Sequence, residues 1–169
     1  MMPHGGFRRA PGYTRLVRLL FGLSLTALFA LALGAPGAED PFTGTWTLNI
    51  AKSTLPPPLP RSQTGRIEVQ GRRIHIREDV VNEDGKSLRI EADAKFDGKY
   101  YPVTGTPFAD LVAYRRRNSR TITGKAKKDG KVVSEETVVL SPDGHSMTAT
   151  YTGKRDGKRV RFVGVFDRE

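Results

Sequence analysis

Asp-Gly recurs at 84–85, 97–98, 129–130, 143–144 and 156–157, and nothing else in the chain limits the fold so tightly. Four of the five pairs are followed by lysine: Lys86, Lys99, Lys131 and Lys158. Asp-Gly supplies the positive φ angles of tight hairpin turns. The successive gaps of 13, 32, 14 and 13 residues suit strands of about 8–10 residues joined by such turns. The long gap has room for one more hairpin, with Asn118-Ser119 as its turn. Strands that are neighbours in sequence then pair in space, as an up-and-down meander.

Period-two alternation agrees. Leu88, Ile90, Ala92, Ala94 and Phe96 share one face, and Arg89, Glu91, Asp93 and Lys95 share the other. The same holds for Ile122, Gly124 and Ala126, for Met147, Ala149 and Tyr151, and for Val160, Phe162, Gly164 and Phe166. Nine strands are predicted: 44–50, 62–70, 72–81, 86–96, 108–117, 119–128, 131–140, 145–153 and 158–167. So long a meander closes on itself because closure removes exposed edges, which predicts an all-β antiparallel barrel. Its small inward residues fit either a narrow packed interior or one with room for a ligand.

The barrel is expected to occupy residues 39–169 as one domain. Residues 1–38 have the order of a secretory signal. Arg8, Arg9, Arg15 and Arg18 precede the uncharged run Leu19–Leu33, and Gly34, Ala35, Gly37 and Ala38 offer cleavage within 34–38. An uncleaved anchor is the alternative, but Gly34, Pro36 and Gly37 break the end of the apolar run. Cleavage would lower the net charge from +10 to +6, since the leader holds four arginines and no acid. The product would be soluble in the periplasm or the medium. The chain has no cysteine, so its core must hold it without disulfides.

Phe42-Thr43-Gly44-Thr45-Trp46-Thr47-Leu48 resembles the first strand of the calycins, the lipocalins and fatty-acid-binding proteins. Their shared Gly-x-Trp puts a tryptophan across the closed end of a barrel, under an arginine from a late strand. The resemblance assigns that place to Gly44 and Trp46, with Arg159 or Arg161 as the arginine. It implies a lipocalin-like barrel. Three features depart from it: prolines follow the first strand where a helical lid would, Gly164-Val165-Phe166 stands where the carboxylate-binding Arg-x-Tyr would, and no C-terminal helix follows. The chain also resembles a group of exported bacterial proteins that share a GTWKLNxAKS opening and a DGKxYPVTGxPxAD block, here Asp97–Asp110. That resemblance implies export and a lipocalin-like barrel, and carries no activity.

Residues 51–61 contain Pro56, Pro57, Pro58 and Pro60 and cannot form a central strand. They are expected to be a stiff strap over one end of the barrel, serving as a lid or as a plain connector.

Arg115-Arg116-Arg117 poses a sharper problem, because alternation sends either Arg116 or the pair Arg115 and Arg117 inward. An inward arginine needs an anion. Arg115 and Arg117, with Tyr100, Tyr101, Tyr114 and Tyr151, are therefore the expected ligand-binding set, for a small hydrophobic or amphipathic anion. The competing reading ends the strand at 115–117, so that all three arginines are solvated. Lys125, Lys127, Lys128 and Lys131 extend a basic face that suits an anionic envelope polymer or lipid surface. Nucleic acid is not expected, since no aromatics interleave with these lysines. His75 and His145 lack metal-ligand spacing, and Glu78-Asp79, Glu83-Asp84 and Glu135-Glu136 are expected to be solvated. No catalytic set, metal or cofactor is expected.

Overall fold

The structure is a computed structural model that describes residues 39–155 and 158–169. The expected leader and the Asp156-Gly157 turn lie outside the described residues. Ten strands run β1 (Gly44–Leu48), β2 (Ser62–Gln70), β3 (Arg73–Val81), β4 (Ser87–Lys95), β5 (Tyr101–Thr104), β6 (Leu111–Asn118), β7 (Thr121–Lys128), β8 (Lys131–Leu140), β9 (Ser146–Arg155) and β10 (Lys158–Arg168). Each pairs antiparallel with its sequence neighbour, and β1 pairs with β10 through Trp46↔Arg168, Thr47↔Asp167 and Leu48↔Phe166, so the barrel is closed. The all-β meander is as expected, with ten strands instead of nine.

The added strand is β5, which the sequence hides behind Pro102, Gly105 and Pro107. It can hold a proline because its ladders are short: Ala92↔Val103 and Glu91↔Thr104 on one side, Tyr101↔Val112 and Pro102↔Leu111 on the other. The Asp-Gly turns also work differently from the simple expectation. Among the described turns only Asp129-Gly130 has both residues at positive φ, 48° and 75°. At Gly85, Gly98 and Gly144 the glycine alone is left-handed. There the aspartate side chain accepts a backbone N–H two residues on: Asp84 from Lys86 at 3.0 Å, Asp97 from Lys99 at 2.9 Å and Asp143 from His145 at 3.0 Å. Aspartate thus builds the turn through its side chain.

Inward residues pack solidly at the end where the chain enters. Phe42 and Trp46 are fully buried there, among Ile67, Ile74, Ala92, Ala94, Tyr114, Ile122, Leu140, Met147, Ala149 and Phe166. The alanines are small because two large rings occupy the axis. The indole N–H of Trp46 donates to the Phe42 carbonyl at 3.0 Å, and the Arg168 guanidinium lies 4.2 Å from the indole centroid. Arg168 also donates to the carbonyls of Thr43, Gly144 and Pro41. The closed end with its tryptophan under an arginine is therefore present, but the arginine is Arg168. Arg159 and Arg161 are exposed, and they pair with Lys154 and Thr152 on the outer face, far along β10 from Trp46. Counting by twos from Phe162 and Phe166 reaches Arg168, whereas Arg159 and Arg161 have the opposite parity.

Past β1 the chain makes a short 3-10 helix at Ile50–Lys52 and then follows β10. Thr54 and Val163 exchange backbone hydrogen bonds of 2.8 and 2.9 Å, and the Val165 N–H donates to the Ser53 hydroxyl at 2.9 Å. Ile50 and Leu55 pack against the core. The proline segment beyond is irregular, with Pro56, Pro57, Pro58 and Leu59 exposed. The strap thus extends the short β1 along its partner, at the end away from Trp46.

Candidate functional site

The three arginines divide by strand parity. Arg116 is the inward one, and its anion is Asp40 of the chain itself, 2.7 Å away. Its guanidinium lies 5.2 Å from the Phe42 ring centroid and 4.9 Å from that of Phe96, so it belongs to the plug at the closed end. Arg115 and Arg117 point outward. The expected ligand set therefore does not form one site. Arg115, Arg117 and Tyr100 share an outer groove of about 420 Å³ across β6–β9, with Lys125, Glu135 and the threonines 123, 137, 150 and 152. Lys125 is tied to Glu135 at 2.6 Å, and the Lys127 ammonium sits 4.0 Å from the Tyr100 ring centroid. Tyr101 is outside this groove and donates to Asp97 at 2.8 Å. Phe108 is three-quarters exposed, outside the core and outside the residues that line the groove.

Tyr114 and Tyr151 face the interior, where sequence reading missed their neighbours. One cross-strand row runs Tyr114↔Gly124↔Glu136↔Tyr151↔Phe162 over β6–β10. A second row, on the other side of the barrel, runs Trp46↔Gly65↔Glu78↔Ile90 over β1–β4. Each interior glutamate thus stands opposite a glycine. At Gly124 the vacancy is required: a Cβ there would meet the Glu136 carboxylate and lie 2.8 Å from its Cγ. Tyr151 and Phe162 stack with ring centroids 4.9 Å apart and planes 18° from parallel. The Gln63 amide donates to Glu78 at 3.1 Å.

Around Glu78, Glu136, Tyr151 and Phe162 the packing loosens. Ile76, Leu88, Ile90, Val103, Ala126, Tyr151 and Phe162 all face inward but keep part of their surface accessible, as do Glu78 and Glu136. The barrel wall encloses the two carboxyls, so burial dominates their chemistry. It raises the Glu136 pKa from 4.5 to about 7, with help from the charge of Glu78 and against a hydrogen bond from Tyr151. Burial also raises Glu78, against the bond from Gln63. Tyr114 and Tyr151 lie well above the usual phenol value, first through burial and then through both glutamates, so they stay neutral hydroxyls. Among the described residues no cation pulls either carboxyl down.

The acids expected to be solvated at 78 and 136 are therefore interior, while Asp79 and Glu135 are outside and paired with Arg89 and Lys125. The signal was in the sequence for Glu78: Ile74, Ile76, Glu78 and Val80 share one parity. For Glu136 the doublets Val132-Val133 and Val138-Val139 mask the face, and only Leu140 fixes it. Outside the barrel, His75 contacts Asp93 at 3.2 Å. Among the described residues no three His, Asp or Glu side chains gather as metal ligands.

No family model matches the chain. No curated protein matches it. Among solved structures, apocrustacyanin C2 is similar over 77% of this chain and 62% of that chain, at 14% identity and a TM-score of 0.45. This chain spans less than two thirds of that protein's length, and at such a score its barrel rests on its own strand pairing.

Proposed function

We propose that this is an exported binding protein whose loosely packed half receives a small amphipathic molecule. One observation carries the reading: inward residues are sealed around Phe42 and Trp46 but partly accessible around Glu136 and Tyr151. An apolar wall with a few convergent polar groups is the usual make-up of a small-molecule site. The groups available are two carboxyls, two phenols and an amide, so the polar part of the ligand is a hydrogen-bonding group and not an anion clamped by arginine. Export with removal of residues 1–38 belongs to the same reading, supported by the arginine-flanked apolar run.

The test is native mass spectrometry on protein recovered from the envelope and medium of cells expressing the full chain. A mass corresponding to cleavage within 34–38 and a releasable small molecule are expected. A bare protein that takes up none of a panel of alkyl alcohols, amines and acids overturns the carrier reading. Retention of residues 1–38 overturns export.

A second reading rests on the outer groove. Arg115 and Arg117 flank threonines on a flat sheet face, which suits an anionic polymer. Retention on immobilised heparin that falls with salt and is lost in the double variant R115Q/R117Q would support it.

A further inference from the structure

The two rims of the barrel differ in what they expose. In an up-and-down barrel the connections after β1, β3, β5 and β7 share one rim, and those after β2, β4, β6 and β8 share the other with the entering chain. Among the described residues four large apolar side chains are exposed: Phe108 at 76%, Val132 at 51%, Val139 at 44% and Leu59 at 42%. Three of these four belong to the first rim: Leu59 in the strap, Phe108 between β5 and β6, and Val132 just past the β7–β8 turn. Pro58 and Pro107 are exposed beside them. We infer that this rim docks on an anionic lipid bilayer, with Phe108 as the side chain that enters the hydrocarbon.

Phe108 is held out by a loop pinned at both ends. At one end Gly105, at φ 76°, lies so close to β4 that a Cβ there would overlap the Arg89 carbonyl. At the other end the Asp110 N–H donates to the Lys127 carbonyl at 2.8 Å, and the Asp110 carboxylate accepts from the Lys128 ammonium and the Asp129 N–H at 2.7 Å each. Between them the Phe108 N–H donates to the Thr106 hydroxyl at 3.3 Å. The ring is not among the residues packed on the core, so its apolar surface stays in water, a cost that an apolar partner recovers. Charge decides which partner. At this rim Lys86 and Lys128 are cancelled by Asp84 and Asp110, which leaves Arg61, Lys127, Lys131 and Lys154 against Glu83 and Asp129. Where β9 passes to β10, Arg155, Asp156 and Lys158 add a further net positive charge in the sequence. Apolar tips flanked by cations are what an anionic membrane surface binds. A polyanion would use the cations but give the phenylalanine nothing to enter. Leu59 precedes β2 and Phe108 precedes β6, well apart around the ring, so a flat surface meets both together.

The test is co-sedimentation with vesicles of phosphatidylcholine alone and of phosphatidylcholine and phosphatidylglycerol in equal parts, using protein recovered from cells that express the full chain. Binding to the mixed vesicles is expected, falling as salt rises. Phe108→Ser should weaken it about 10-fold or more, and K131Q/K154Q about 10-fold on the mixed vesicles. Val139→Ser, near the opposite end of β8, should bind like the parent. Attachment through residues 19–33, were the leader retained, would not respond to F108S. In F108W the new indole should shift its emission to the blue on vesicles and be quenched by brominated lipid, while the buried Trp46 stays constant. Circular dichroism checks that each variant is folded. Equal binding to the two vesicle types, binding that F108S leaves unchanged, or an indole at 108 that stays in water overturns the proposal. A parent dimer that F108S dissolves, without vesicle binding, assigns Phe108 to a second copy of the chain and overturns it too. These outcomes do not bear on the interior, so the carrier reading stands or falls by its own ligand panel.

Discussion

Glu136 is where this molecule departs most from a simple barrel core. Its pKa is raised in the folded state, so its contribution to stability is full below pH 4.5 and is lost as pH rises through about 7. That loss amounts to about 3 kcal/mol by pH 8. Glu136→Gln is therefore expected to be more stable than the parent at pH 8 and to decline less between pH 5 and 8, with Glu78 keeping its own share. Urea unfolding at the two pH values measures this. A parallel decline in the variant would place the titrating group elsewhere. Gly124 supplies a second check. Gly124→Ala forces the Glu136 side chain to move and should cost about 1–3 kcal/mol. In a Glu136→Ala background the same change should be neutral or stabilising, since alanine suits a strand better than glycine. Additive effects in that cycle would mean that the two residues do not share the space. The parity of Glu78 was countable from Ile74 and Ile76, whereas paired valines on both sides concealed that of Glu136.

At the scale of elements, the closed end is held by one arginine reaching over β1. Arg168 stacks on Trp46 and satisfies carbonyls of the entering chain and of the β8–β9 turn. Arg168→Ala is expected to cost about 2–4 kcal/mol, because three backbone carbonyls, two of them part-buried, lose a charged donor as well as the ring contact. Arg159→Ala and Arg161→Ala, on the exposed outer face, should change stability by no more than about 0.5 kcal/mol. Thermal unfolding of the three variants separates these cases, and equal losses would contradict the assignment. Gly44 and Trp46 open β1, with Trp46 buried beneath Arg168. The partner was missed because Arg168 lies at the far C-terminal end of β10, and only the β1–β10 register puts it beside Trp46.

For the whole molecule, two sets of carboxyls oppose each other. Asp84, Asp97, Asp110, Glu135, Asp143 and Asp167 are all held below their ordinary values, mainly by hydrogen bonds from side chains or backbone. Their contribution is present above their unfolded values and is lost as pH falls through the folded ones. Glu78 and Glu136 work the other way. Stability should therefore peak on the acid side of neutrality, between about pH 4.5 and 6, and fall in both directions. A pH series of thermal midpoints tests the shape. A maximum at pH 8 would show that the interior pair is not enclosed in solution.

The local sequence by itself determined the meander. Asp-Gly turns and period-two alternation depend on a few adjacent residues, and they required antiparallel neighbours and a chain too long to leave as an open sheet. Tertiary structure alone decided which end is filled, that Arg116 meets Asp40 across 76 residues, and that Glu78 and Glu136 share one interior. The physical cause is closure. Once β1 meets β10, the register around the ring brings distant strands face to face. The field that each buried charge feels is then set by the wall opposite it, which no local stretch of sequence contains.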